Sequence, residues 1–175
     1  MEQTELMNDR QSVVGGGRHG SDFDDVISVE NLFQAWRAFA KGKRSKKDVT
    51  LFELNLEDNI FALHEMLLSG EWKPEPYKIF FVQDPKLRKI HKASVLDRVL
   101  YQAVYQALYP IFDKHFIHDS YASRNFKGTH RGVKRFEVFA RKVTGNYRRS
   151  GFVLKCDIRK FFDSIDHIVL LRLIE

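Results

Sequence analysis

The sequence predicts an α+β fold, and three observations predict it. Several stretches carry apolar residues at helical spacing. One stretch, "WKPEPYKIFFVQDPKLRKIHKA" (72 to 93), breaks that pattern with prolines, an aromatic run and a turn signal. A short apolar run, "FVLKCD" (152 to 157), ends in an aspartate. The expectation is a helical region interrupted by one β-hairpin, followed by a further strand and helix.

Bulk composition narrows the class. The chain has 175 residues, 43% hydrophobic and 13% aromatic, so it can bury a core. Cys156 stands alone, which excludes an internal disulfide and a four-cysteine zinc site. No apolar run approaches the ~20 residues that span a bilayer. The N-terminus also lacks the basic-then-apolar pattern of a signal peptide. A cytoplasmic protein with no membrane partner is expected. The net charge of +6 is unevenly spread. Residues 1 to 30 carry seven acids and two bases, whereas residues 31 to 175 carry 27 bases and 16 acids. That excess suits a phosphate-rich partner, although a solvated basic face would need no partner at all.

Taken in order, residues 1 to 27 show no sustained periodicity, and "VVGGGRHGSD" (13 to 22) has linker composition. A flexible acidic lead-in is expected there. Ser28 is a plausible N-cap for a helix whose inner face is Leu32, Phe33, Trp36 and Phe39. "KGKRSKKD" (41 to 48) ends it. One helix is expected over 49 to 69, with Phe52, Leu56, Ile60, Leu63 and Leu67 in register and Gly70 as the stop. A hairpin is expected next, with strands near 77 to 83 and 88 to 92 around "DPKL". The helix from Ser94 to about Phe116 must kink or end at Pro110. A polar loop (118 to 130) leads to a helix over 130 to 143 with Val133, Phe136 and Ala140 inward. "TGNYRRSG" (144 to 151) is a turn, 152 to 157 a buried strand, and a final helix starts near Asp166. That helix is expected to run past Glu175, because its apolar residues meet no stop signal, so the chain is expected to be a truncated one.

The chemistry-bearing stretch is "VLKCDIRKFFDSIDH" (153 to 167). An aspartate at a strand end is a rigid platform for one ligand of a hard cation, or it merely caps the following turn. Within it, "DIRKFFDSIDH" resembles motif A of reverse transcriptases. "DPKLRKIHKASVLDRVLYQAVYQALYPIFDKHFIHDSYASRNFKGTH" resembles the fingers segment of the bacterial reverse transcriptases. These include group II intron, retron and diversity-generating retroelement enzymes. "SYASRNFKGTH" and "AFAKGKRSKKDVTLFE" are most similar to the last branch. Together the likeness spans about residues 29 to 175.

The resemblance implies an incomplete right-hand polymerase fold: fingers over 28 to 150 and the start of a palm over 151 to 175. It implies an RNA-directed DNA polymerase working by two-metal nucleotidyl transfer with Mg²⁺, on an RNA template, a DNA or RNA primer and deoxynucleoside triphosphates. Asp157 would be a catalytic metal ligand, assisted by the backbone carbonyl of Ile158. Amides near Lys160 and Phe161 would face the triphosphate. Phe162 would be the steric gate against a ribose hydroxyl. Apart from that role, both phenylalanines could be core residues, and one of the two is expected to be buried.

Arg88, then Lys86, align with cations that the fingers lower onto the nucleotide, with Lys89 beside them; a charged tip that only blocks edge pairing is the alternative. Arg124, Lys127, Arg131, Lys134 and Arg135, with Tyr121 and Phe126 between, suit a single-stranded template or are a solvated helix face. Asp166 reads as a helix N-cap and Asp163 as solvated. "HFIHD" (115 to 119) has too few ligands for zinc. A Tyr-x-Asp-Asp turn, which the family places downstream, does not occur after Asp157, and Asp24 and Asp25 form the sole Asp-Asp pair. The chain is therefore expected to be inactive alone. The competing expectation is a non-catalytic basic RNA-binding module. The oligomeric state, the RNA copied, the priming mode and the biological role stay open.

Overall fold

The computed structural model describes residues 23–174. The fold is α+β: among the described residues there are seven α-helices and one two-stranded antiparallel sheet. It divides into two compact units, one ending at Phe116 and the other starting at Ile117.

The first unit opens with α1 (Phe23–Ile27) and α2 (Val29–Ala40). Ser28 separates them as expected. Its hydroxyl oxygen accepts the Asn31 backbone N–H at 3.3 Å and its own O–H donates to the Asp25 carbonyl at 2.9 Å. The expected lead-in therefore needs correcting at its end. Residues 23 to 27 are helical, and Ile27 is buried because α1 packs against α2 and α5. The part of the lead-in over 1 to 22, with its glycine run, lies outside the described residues.

The single helix expected over 49 to 69 is two: α3 (Lys47–Leu54) and α4 (Leu56–Leu68). Asn55 leaves the helical region at φ −122°, ψ 43°. The break is stabilised locally, since the Asn59 side-chain amide donates to the Phe52 carbonyl at 3.0 Å. That carbonyl would otherwise lack its partner at the helix end. Gly70, at φ +70°, follows α4 as the expected stop.

Helix α5 (Val95–Phe112) completes the core. Leu32, Trp36 and Phe39 of α2 pack with Val49, Ile60, Leu63, Val99 and Ala103. The Trp36 ring lies 5.1 Å from Phe52 and 6.0 Å from Phe39. Pro110 falls in the last turn of α5, which ends two residues later, short of the expected Phe116. The hairpin β1 (Lys78–Asp84) and β2 (Lys86–Lys92) leaves this core as an exposed arm, with Pro85 at its tip.

In the second unit, α6 (Thr129–Thr144) ends on Gly145 in the left-handed conformation, and Asn146 and Tyr147 continue the turn at positive φ. Two expectations fail here. Val133 and Phe136 are exposed rather than inward, at 62% and 52%. Phe136, Phe139, Ala140 and Val143 instead line an open apolar groove of about 520 Å³ with residues 152 to 154. The second failure is the strand over 152 to 157, which does not form, and those residues are exposed. Among the described residues no other strand pairs with them, and an extended segment without a partner has no ladder to join. After a short 3-10 turn (Phe162–Ser164), α7 (His167–Ile174) follows. Its start obeys expectation: Asp166 Oδ1 accepts the N–H of Ile168 at 2.8 Å and of Val169 at 3.2 Å.

Candidate functional site

The hairpin register pairs Val82 with Arg88, Phe81 with Lys89 and Asp84 with Lys86. Side chains alternate across a strand, so Lys86 and Arg88 share one face and Lys89 lies on the other. Two cations two residues apart on an exposed arm can meet one polyphosphate without a desolvation cost beforehand. On the same face stand Val82 and Phe80, both exposed.

The root of the hairpin is held differently from its tip. Asp48, on α3, accepts from Lys92 Nζ and from an Arg98 terminal nitrogen, each at 2.6 Å. Partial burial pushes the Asp48 carboxyl up, but the two cations and their hydrogen bonds outweigh it and hold it at about 2. Arg98 also lies over the Phe39 ring, 5.0 Å from its centroid. Asp97 is fully buried at the start of α5, where its N–H donates to the Ser94 hydroxyl at 3.0 Å. Its Oδ2 accepts the backbone N–H of Glu75 at 3.1 Å, just ahead of β1.

The loop before α6 turns on Asp119. Its Oδ1 accepts from Arg135 Nε at 2.8 Å and from the Tyr121 hydroxyl at 3.0 Å, and lies 3.2 Å from His118 Nδ1. The Arg135 hydrogen bond is the main reason its carboxyl is held at about 2, against a smaller upward push from desolvation. Three of the other cations expected on template also bond carbonyls of this loop. Lys127 Nζ donates to the His118 carbonyl at 2.7 Å, Arg124 to the Ile117 carbonyl at 3.0 Å, and Arg131 to the Phe126 carbonyl. Ser123, Phe126 and Gly128 all take positive φ, so the loop is tightly coiled. Phe126 is left 86% exposed beside these cations. Arg131 and Lys134 are exposed, and Arg135 is half-buried with its guanidinium 4.5 Å from the Phe139 centroid.

Asp157 stands exposed in the irregular stretch, with Ile158 after it. The buried strand-end platform expected for it is absent for the reason given above. Lys160 sits at φ +51°, a conformation costly for a residue with a Cβ. Phe161 and Phe162 pack edge to face, 5.4 Å between centroids. Both are exposed, at 50% and 83%, so the expected burial of one does not occur; they cover each other and little else. Asp163 is exposed, and Asp166 is spent on α7. Among the described residues no three His, Cys, Asp or Glu side chains converge as a metal site. Asp157 can thus offer one hard oxygen ligand, and any further ones must come from outside this set.

Sequence reasoning missed the three carboxylates that organise these regions: Asp48, Asp97 and Asp119. Only Asp97 left a readable trace, as the third residue after Ser94 in a capping pattern.

No family model matches the chain. Protein YkfC of Escherichia coli (strain K12) is 24% identical over 125 residues, which cover 70% of this chain and 32% of that protein. The chain spans about a third of the length of this curated relative. Among the described residues no helix is long and apolar enough to cross a membrane.

Proposed function

We propose that this chain is the fingers and the first palm segment of an RNA-directed DNA polymerase. The observation that carries this reading is the placement of Lys86 and Arg88 on one face of an exposed hairpin arm. The motif-A-like "DIRKFFDSIDH" lies downstream in the same chain. Cations on such an arm would neutralise charge on a nucleoside triphosphate as its nucleotidyl group transfers and pyrophosphate leaves.

In the proposed enzyme, Asp157 supplies one carboxylate to Mg²⁺, with the Ile158 carbonyl beside it. Magnesium would activate the primer hydroxyl and steady the pyrophosphate leaving group. The chain's own residues do the rest. Arg88 and Lys86 grip the triphosphate, amides near Lys160 and Phe161 face it, and the Phe162 ring fills the space a ribose 2′-hydroxyl would need. Phe126 offers a bare ring for stacking a template base, with Lys127, Arg131 and Lys134 near the backbone phosphates.

The test is primer extension on an RNA template by the full-length polypeptide containing this chain, with Asp157→Ala as control. Magnesium-dependent extension that the variant abolishes supports the reading. Tight RNA binding with no extension by either protein replaces it with the non-catalytic RNA-binding module.

A further inference from the structure

We propose that Asp48 and Asp97 are positioning residues that clamp the two roots of the hairpin and so aim Arg88 and Lys86 at the triphosphate. The aim, though not the clamp, rests on the polymerase reading.

The clamp follows from where the contacts fall. All of β1 is exposed and β2 is largely so, so apolar packing does not fix the arm's direction. An unsupported two-stranded hairpin is marginal in water. Polar contacts at the roots replace that packing. The incoming chain is held at Glu75, whose N–H bonds Asp97 at 3.1 Å. Two residues on, the Tyr77 ring packs edge to face with His91 of β2, 6.1 Å between centroids. The outgoing chain is held at Lys92, the last residue of β2, by Asp48 at 2.6 Å. Arg98 ties that same carboxylate to α5 at 2.6 Å. Asp97 and Arg98 are consecutive on α5, so one helical turn anchors both roots. Asp97 also keeps its other oxygen, Oδ1, buried without a hydrogen-bond partner among the described residues. A buried carboxylate so placed is a restraint on the chain ahead of β1, because any shift of Glu75 strips the hydrogen bond that its Oδ2 accepts.

The experiment has two readouts. Spin labels at position 84 on the tip and position 57 on α4, in a Cys156→Ser background, report the arm's distance distribution. Asp48→Ala and Lys92→Ala should each broaden it, and Asp48→Glu should restore most of the wild-type narrowness. These two variants carry the test if Asp97→Ala does not fold. In the full-length polymerase the same two variants should raise the nucleotide KM by roughly tenfold with template–primer affinity unchanged. Arg88→Ala serves as reference. An unchanged distance distribution overturns the clamp. A broadened one with an unchanged nucleotide KM, while Arg88→Ala raises it, overturns the positioning role. If Arg88→Ala itself leaves KM unchanged, the polymerase reading of the hairpin fails and the clamp stands.

Discussion

Val82 and Arg88 face each other across the hairpin, which puts Arg88 on the face of Lys86 and turns Lys89 away. The three cations are neighbours in sequence, yet they should not be equivalent. Arg88→Ala, and more weakly Lys86→Ala, should raise the nucleotide KM of the full-length enzyme, by about 10-fold or more for Arg88. Lys89→Ala should leave it within about 2-fold. Steady-state kinetics at fixed template–primer decides this, and an equal loss in all three variants would refute the two-face assignment.

Phe162 is largely exposed and packs edge to face with Phe161. Replacing it by alanine should cost little stability, because little apolar surface is withdrawn from water there. It should instead admit ribonucleotides. Competition between ribo- and deoxynucleotides in primer extension should show discrimination reduced by at least about 10-fold. Retained discrimination would assign the gate elsewhere.

Arg131 and Lys134 are exposed, with one Arg131 guanidinium nitrogen on the Phe126 carbonyl, whereas Arg135 is half-buried and paired with the Asp119 carboxylate. If Arg131 and Lys134 contact template phosphates, neutralising both should reduce the steepness of log affinity against log salt by about 1.4 for single-stranded RNA. Arg135→Ala should act differently, by loosening the loop. Titrations at four salt concentrations separate the two behaviours, and parallel lines for wild type and the double variant would exclude the phosphate contacts.

Asp119 gives a dependence on pH whose sign is determined. Its carboxyl is held at about 2, below the ordinary carboxylate value near 3.9, chiefly by Arg135. A depressed folded value means that its contribution to loop order is complete above the unfolded value and is lost as pH falls through about 2. The Tyr121 ring, whose hydroxyl donates to Asp119 at 3.0 Å, is the reporter. Its NMR resonances should titrate near pH 2 in the wild type, and Asp119→Asn should abolish that step. A Tyr121 titration unaltered by the substitution would show that another group holds the loop.

What the sequence by itself determined was local in origin. The helical spacing of Leu32, Trp36 and Phe39, the Ser28 and Asp166 caps, and the "DPKL" turn each concern residues within a few positions of one another. Helix periodicity, caps and tight turns are settled at that range. The hairpin candidates could be named, but their division between two faces needed the register. Tertiary structure alone decided the rest. Asp48 meets Lys92 and Arg98 across 44 and 50 residues, and Arg135 meets Asp119 across 16. No periodicity encodes such pairings. The run from 152 to 157 makes the same point in reverse. Its composition is that of a strand, but a strand is a pairing rather than a property of six residues, and no partner strand meets it among the described residues.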